Sequence, residues 1–188
     1  MFGDSITDAC RARDGDYGLY AYGNGYVKFV AGDLLFSDPT KYQIINRGIS
    51  GNRIVDLYAR VKADVWNETP DVLSVLIGIN DIWHEIAHKN GVDLTRFERV
   101  YRMLIEDTLQ RFPNLKIILC EPFVLTGSAT GAAGSDTFKT FSEVKNYAKV
   151  VKKLAEDYGL YFLPLQGKLD EADEMLGKLE KKLNYFKV

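Results

Sequence analysis

Histidine and cysteine, the side chains that most often carry chemistry, are nearly absent: the 188 residues contain two His and two Cys. Cys10 and Cys120 lie far apart and cannot form the disulfide framework of a small secreted domain, so they read as free thiols in a reducing compartment. Charge of one sign is also lacking. With 24 Lys and Arg against 26 Asp and Glu, the net charge is −2, and no basic stripe exists to follow a phosphate backbone, which excludes nucleic acid as a partner. The longest apolar runs, such as VLSVLIGI at 72–79, fall far short of the roughly 20 residues of a membrane helix, so no membrane partner is expected. No basic stretch followed by an apolar one opens the chain, and the expected location is cytoplasmic.

Apolar residues are plentiful, at 46% hydrophobic and 12% aromatic, enough to build one core. One domain over residues 1–188 is therefore expected, with no internal repeat or linker. Four nearly continuous runs of β-branched and large apolar residues read as strands buried on both faces: Tyr42 to Ile49, Val72 to Ile79, Lys116 to Val124 and Leu160 to Leu165. Between them lie helical stripes over Arg53 to Trp66, with Asn52 as its cap, Leu94 to Phe112 and Phe138 to Tyr158, the last stopped by Gly159. Alternating strand and helix predicts a three-layer α/β/α domain with a parallel, flavodoxin-like sheet. Such sheets put their ligand sites beyond the carboxyl ends of the strands. The irregular stretches Cys10 to Tyr26 and Thr126 to Thr137 are expected at the pocket rim.

Three blocks fall at such ends: GDSITD at 3–8, NRGISGN at 46–52 and GIND at 78–81. In order and spacing they resemble the GDSL esterase/lipase family, the SGNH hydrolases, from residue 2 to about residue 170. The resemblance implies hydrolysis of carboxylic esters with Ser5 as nucleophile. The N–H groups of Ser5 and Gly48 and the amide of Asn80 would then receive the oxygen that becomes negative in the tetrahedral intermediate. Asp4 and Asp81 are expected to hold the loops by accepting backbone hydrogen bonds. Neither an organic cofactor nor a metal is implied.

The family's fourth block, Asp-x-x-His, supplies the general base and the carboxylate that orients it. No such block follows residue 166; the chain continues LGKLEKKLNYFKV, which makes 167–188 the atypical segment. The two His are His84 and His88, directly after the third block in NDIWHEIAH. His84 is the surrogate base to weigh, with Glu85 or Asp81 as the carboxylates near it. His84-Glu85-Ile86-Ala87-His88 also matches H-E-x-x-H, the pattern of a zinc hydrolase, although catalytic zinc usually has a third protein ligand. Three readings stand: a serine esterase, a binding relic of the family that lacks its base, and a zinc hydrolase.

In the family a strand precedes the nucleophile turn, whereas only Met1 and Phe2 precede it here. LNYFKV at 183–188 is expected to fill that slot, from its own chain or from a neighbouring copy, which would give a homodimer or strand-swapped oligomer. The alternative for the same region is an amphipathic helix along Leu169, Ala172, Leu176, Leu179, Leu183 and Phe186. The Tyr-rich stretch DYGLYAYGNGY at 16–26 suits sugar rings or acyl chains, and acetyl esters of carbohydrates are the expected substrates.

Overall fold

The computed structural model describes residues 1–13 and 18–185, the latter without the side chains of Leu19 and of 178–185. The chain opens with β1 (Phe2–Gly3), turns at Asp4 into α1 (Ser5–Asp8), and continues through α2 (Tyr26–Ser37) to β2 (Arg47–Gly48). Next come α3 (Ile54–Asp64), β3 (Val72–Leu76), α4 (Ile79–His88), α5 (Leu94–Arg111) and β4 (Lys116–Cys120). The final elements are α6 (Asp136–Phe141), α7 (Val144–Tyr158), β5 (Tyr161–Leu163) and α8 (Gln166–Tyr185).

The five strands form one parallel sheet in the order β2-β1-β3-β4-β5. Right-handed crossovers put α2 on one face and α3, α5 and α7 on the other, where α5 packs against both α3 and α7. Alternation within the strands fits that division: Leu73, Val75, Ile117 and Leu119 join Leu57, Phe97, Leu104 and Val151 in one core. This is an α/β fold, as the strand and helix alternation predicts.

Several boundaries differ from the sequence reading. The run Tyr42 to Ile49 pairs only at Arg47–Gly48. The stripe from Phe138 to Tyr158 is broken between Phe141 and Val144. The helix expected from Arg53 stops at Asp64, with a one-turn 3-10 helix at Trp66–Glu68. α2 had no counterpart in the reading, because its apolar residues do not form one stripe: Val27 and Ala31 are buried while Phe29 and Phe36 face solvent.

The strand proposed for 183–188 is overturned. Residues 183–185 belong to the last turn of α8, and 186–188 lie outside the described residues. The middle slot is filled by β1, which pairs with β2 on one side and β3 on the other. Phe2 is fully buried in the core and Gly3 continues the ladder.

Candidate active site

Each of the three blocks reaches the carboxyl edge of the sheet by its own route. Asp4 follows β1 and caps α1, its Oδ1 accepting the Ile6 N–H at 3.0 Å. Ser5 is therefore the first helical residue, where a backbone N–H has no intrahelical acceptor. The Ser5 side chain is exposed, and no hydrogen bond reaches its Oγ among the described residues. Asp4 itself is buried and its Oδ2 has no partner among the described residues. Burial pushes its carboxyl up to about 6, with the Ile6 N–H acting in the opposite direction.

Gly48 ends β2 opposite Gly3. A Cβ at Gly48 would lie 2.2 Å from the Asp8 N and 2.6 Å from the Thr7 carbonyl carbon, so α1 rests directly on this glycine. Asn46 ties the same region together. Its Nδ2 donates to the carbonyls of Thr7 at 2.7 Å and Tyr22 at 2.9 Å, and its Oδ1 accepts the Gly48 N–H at 2.8 Å. Arg11 Nε donates to the Gly48 carbonyl at 2.9 Å. Asp8 is buried at the end of α1, where it accepts the Ser50 N–H at 2.9 Å and the Ser50 hydroxyl at 3.0 Å, and pairs with Arg13. Burial works to raise the Asp8 carboxyl, but the Ser50 donors and the Arg13 guanidinium outweigh it and hold the group below the usual carboxylate range.

Block three starts at Gly78, whose φ of 142° only glycine adopts without strain. Asn80, in the first turn of α4, donates from Nδ2 to the Asn52 carbonyl at 3.1 Å. A side-chain amide carries two N–H bonds, and the second has no acceptor among the described residues. Asp81 reaches across to α3, its Oδ1 accepting the Ile54 N–H at 3.1 Å. Its Oδ2 is unpartnered among the described residues, and burial raises the carboxyl well above its ordinary value against the pull of that N–H.

His84 is half-buried on α4, its Nε2 3.9 Å from the position of a Cβ on Gly51, within the second block. Its ring lies 5.6 Å from that of His88, edge to face. Glu85 Oε2 accepts the Gly91 N–H at 3.1 Å. Among the described residues no group of three His, Cys, Asp or Glu converges to hold a metal ion, so the H-E-x-x-H text has two imidazoles on one helix face and no third ligand.

Asp8 and Asn46 are the first block's last residue and the second block's first, and their part in joining the blocks is visible only in the fold. The polar side chains that bind the blocks to one another carry no periodic signal, so sequence alone does not separate them from solvated surface.

A parallel α/β sheet with a serine turn and amide-bearing blocks at its carboxyl edge is the architecture of a three-layer hydrolase. The sequence matches the GDSL-like lipase/acylhydrolase family over residues 1–184, and the chain belongs to that family of ester hydrolases. An acetylxylan esterase from Geobacillus stearothermophilus is 36% identical over 178 residues, 91% of this chain and 77% of that one. Its crystal structure superimposes with a TM-score of 0.76 at 35% identity, covering 92% of this chain and 78% of that one. A Parabacteroides merdae protein described as a GDSL-like lipase gives a TM-score of 0.82 at 36% identity, covering 92% and 79%. Solved structures of the acetylxylan esterase include catalytic mutants of a serine, an aspartate and a histidine. No helix among the described residues is long and apolar enough to cross a membrane.

Proposed function

We propose that the chain hydrolyses acetyl esters of carbohydrates, with Ser5 as the nucleophile. The observation that carries this reading is the meeting of the three blocks at one edge of the sheet, with Gly3 beside Gly48 in the ladder and Asn80 bonded to Asn52 of the second block. The acetylxylan esterase relative supports the choice of acyl group and alcohol. Ser5 Oγ attacks the ester carbonyl, and the oxygen that becomes negative is received by the unpaired Ser5 N–H and the second Asn80 amide hydrogen. Gly48 lends its N–H in competition with Asn46 Oδ1, exchanging a neutral acceptor for a charged one. Collapse of the intermediate expels the sugar alkoxide, which takes from the base the proton that Ser5 lost; water then gives a proton to the base, attacks the acetyl-serine carbonyl and releases acetate, and that proton returns to Ser5 Oγ.

The hydroxyl proton of Ser5 needs an acceptor, and His84, its Nε2 3.9 Å from the position of a Cβ on Gly51, is the imidazole assigned to it. A second reading, a family fold that binds esters without turning them over, is favoured by one observation: no base is hydrogen-bonded to Ser5 Oγ among the described residues. Hydrolysis of p-nitrophenyl acetate and of acetylated xylo-oligosaccharides separates the two. The expected outcome is activity that Ser5→Ala abolishes, that His84→Ala lowers by about 10⁴-fold, the usual cost of losing the base, and that a chelator leaves unchanged. Activity no higher than that of Ser5→Ala establishes the second reading. Chelator-sensitive activity indifferent to Ser5→Ala would instead revive the zinc hydrolase.

A further inference from the structure

Arg60 lies in α3, outside all three blocks, yet its guanidinium bonds directly to the first two and, through Asn52, is one residue's length from the acceptor of the third. Nη2 donates to the Gly3 carbonyl at 3.1 Å, Nη1 to the Arg47 carbonyl at 2.9 Å, and Nε to Asn52 Oδ1 at 2.7 Å. Gly3 stands two residues before Ser5, and Arg47 directly precedes Gly48. The Asn52 carbonyl is the acceptor that holds the Asn80 amide. The guanidinium carbon sits 4.5 Å from the centre of the Phe2 ring, and Asp64 balances the charge from one turn further along α3. The side chain is only 16% exposed.

We propose that Arg60 is a positioning residue of the ester-hydrolysing site, one planar fork that fixes the Ser5 turn, Gly48 and Asn80 relative to one another. The inference rests on the reading of Ser5, Gly48 and Asn80 given above. The Gly3 and Arg47 carbonyls both accept from the one guanidinium, so two partly negative oxygens from neighbouring strands converge on it. The cation attracts both, and the fixed angles of the guanidinium set the spacing of what it holds. Lysine has charge but no fork, so it cannot hold two carbonyls and an amide oxygen in one plane. Misplacing reacting groups by about 1 Å costs on the order of 100-fold in rate, which gives the expected size of the effect.

The test compares the full chain with Arg60→Lys and Arg60→Ala by steady-state kinetics on p-nitrophenyl acetate, by thermal melting, and by ¹H–¹⁵N spectra. The expected result is a fall in kcat of about 100-fold in both variants with KM within about 2-fold. Millimolar guanidinium partly restores the rate of Arg60→Ala. In the spectra the backbone signals of Ser5 and Gly48 and the side-chain amide of Asn80 shift together in Arg60→Lys, while those of α5 and α7 stay in place. A rate that falls only in proportion to the folded fraction, or Ser5, Gly48 and Asn80 signals that do not move, overturns the inference. Should the parent chain prove no more active than Ser5→Ala, the Ser5 reading fails, and the spectra of Arg60→Lys alone decide whether Arg60 organises the three blocks.

Discussion

Asp4 shows how the surroundings of one carboxylate shape the start of the site. One of its oxygens caps α1 through the Ile6 N–H and the other is buried without a partner among the described residues, so ionising it costs more than in water. Its pKa accordingly lies near 6 rather than the ordinary 3.8. A raised carboxylate pKa means that the folded chain binds more protons than the unfolded one between those values. The associated stability is fully present below the unfolded pKa and is lost as pH rises through the folded one. Asp4→Asn keeps an oxygen for the Ile6 N–H and never ionises. The variant is expected to be more stable than the parent at pH 7 by up to about 3 kcal/mol, with the difference vanishing towards pH 4. Urea unfolding at pH 4, 5.5 and 7 measures this, and a difference independent of pH would show that Asp4 is not the group responsible. Gly3 to Asp8 is legible in sequence as a motif, but the orphaned oxygen is not, because burial depends on chain segments far from Asp4.

Among the elements, α1 and β2 are held face to face by the lack of a side chain at Gly48. A methyl group there meets the backbone of Thr7 and Asp8 rather than a movable side chain, so α1 must shift or the end of β2 must bend. Gly48→Ala is expected to lose about 3 kcal/mol or more of stability, read as a lower urea midpoint, together with any Ser5-dependent activity. Unchanged stability would show that α1 is free to move on the sheet. The helices α3, α5 and α7 were legible because each buries one apolar stripe against the strands, which is what a 3.6-residue period encodes. β3 and β4 were legible as continuous apolar runs. β1 was not, since two residues cannot show a period, and its strand character comes from the partners on either side. Arg60 was invisible for a related reason: paired with Asp64 one turn away, it reads in sequence as an ordinary solvated ion pair.

For the whole molecule, the buried core among the described residues and the three blocks all lie before α8. The start of that helix is anchored, with Gln166 bonded to the backbone of Val124 and Glu121 accepting the N–H groups of Leu165 and Gln166. Every residue from Asp170 to Gly177 is exposed. Replacing the exposed Met175 and Leu176 by Ser is therefore expected to leave the melting temperature within about 3 °C of the parent in differential scanning calorimetry; a larger drop would show that this part of α8 packs on the domain. The strand order carries a different consequence, for how the protein is made. β1 forms the middle of the sheet, and Phe2 pairs with Arg47 on one side and Val75 on the other. On the ribosome one edge of β1 can pair once Arg47 has emerged, whereas the other must wait unpaired until Val75 has emerged as well.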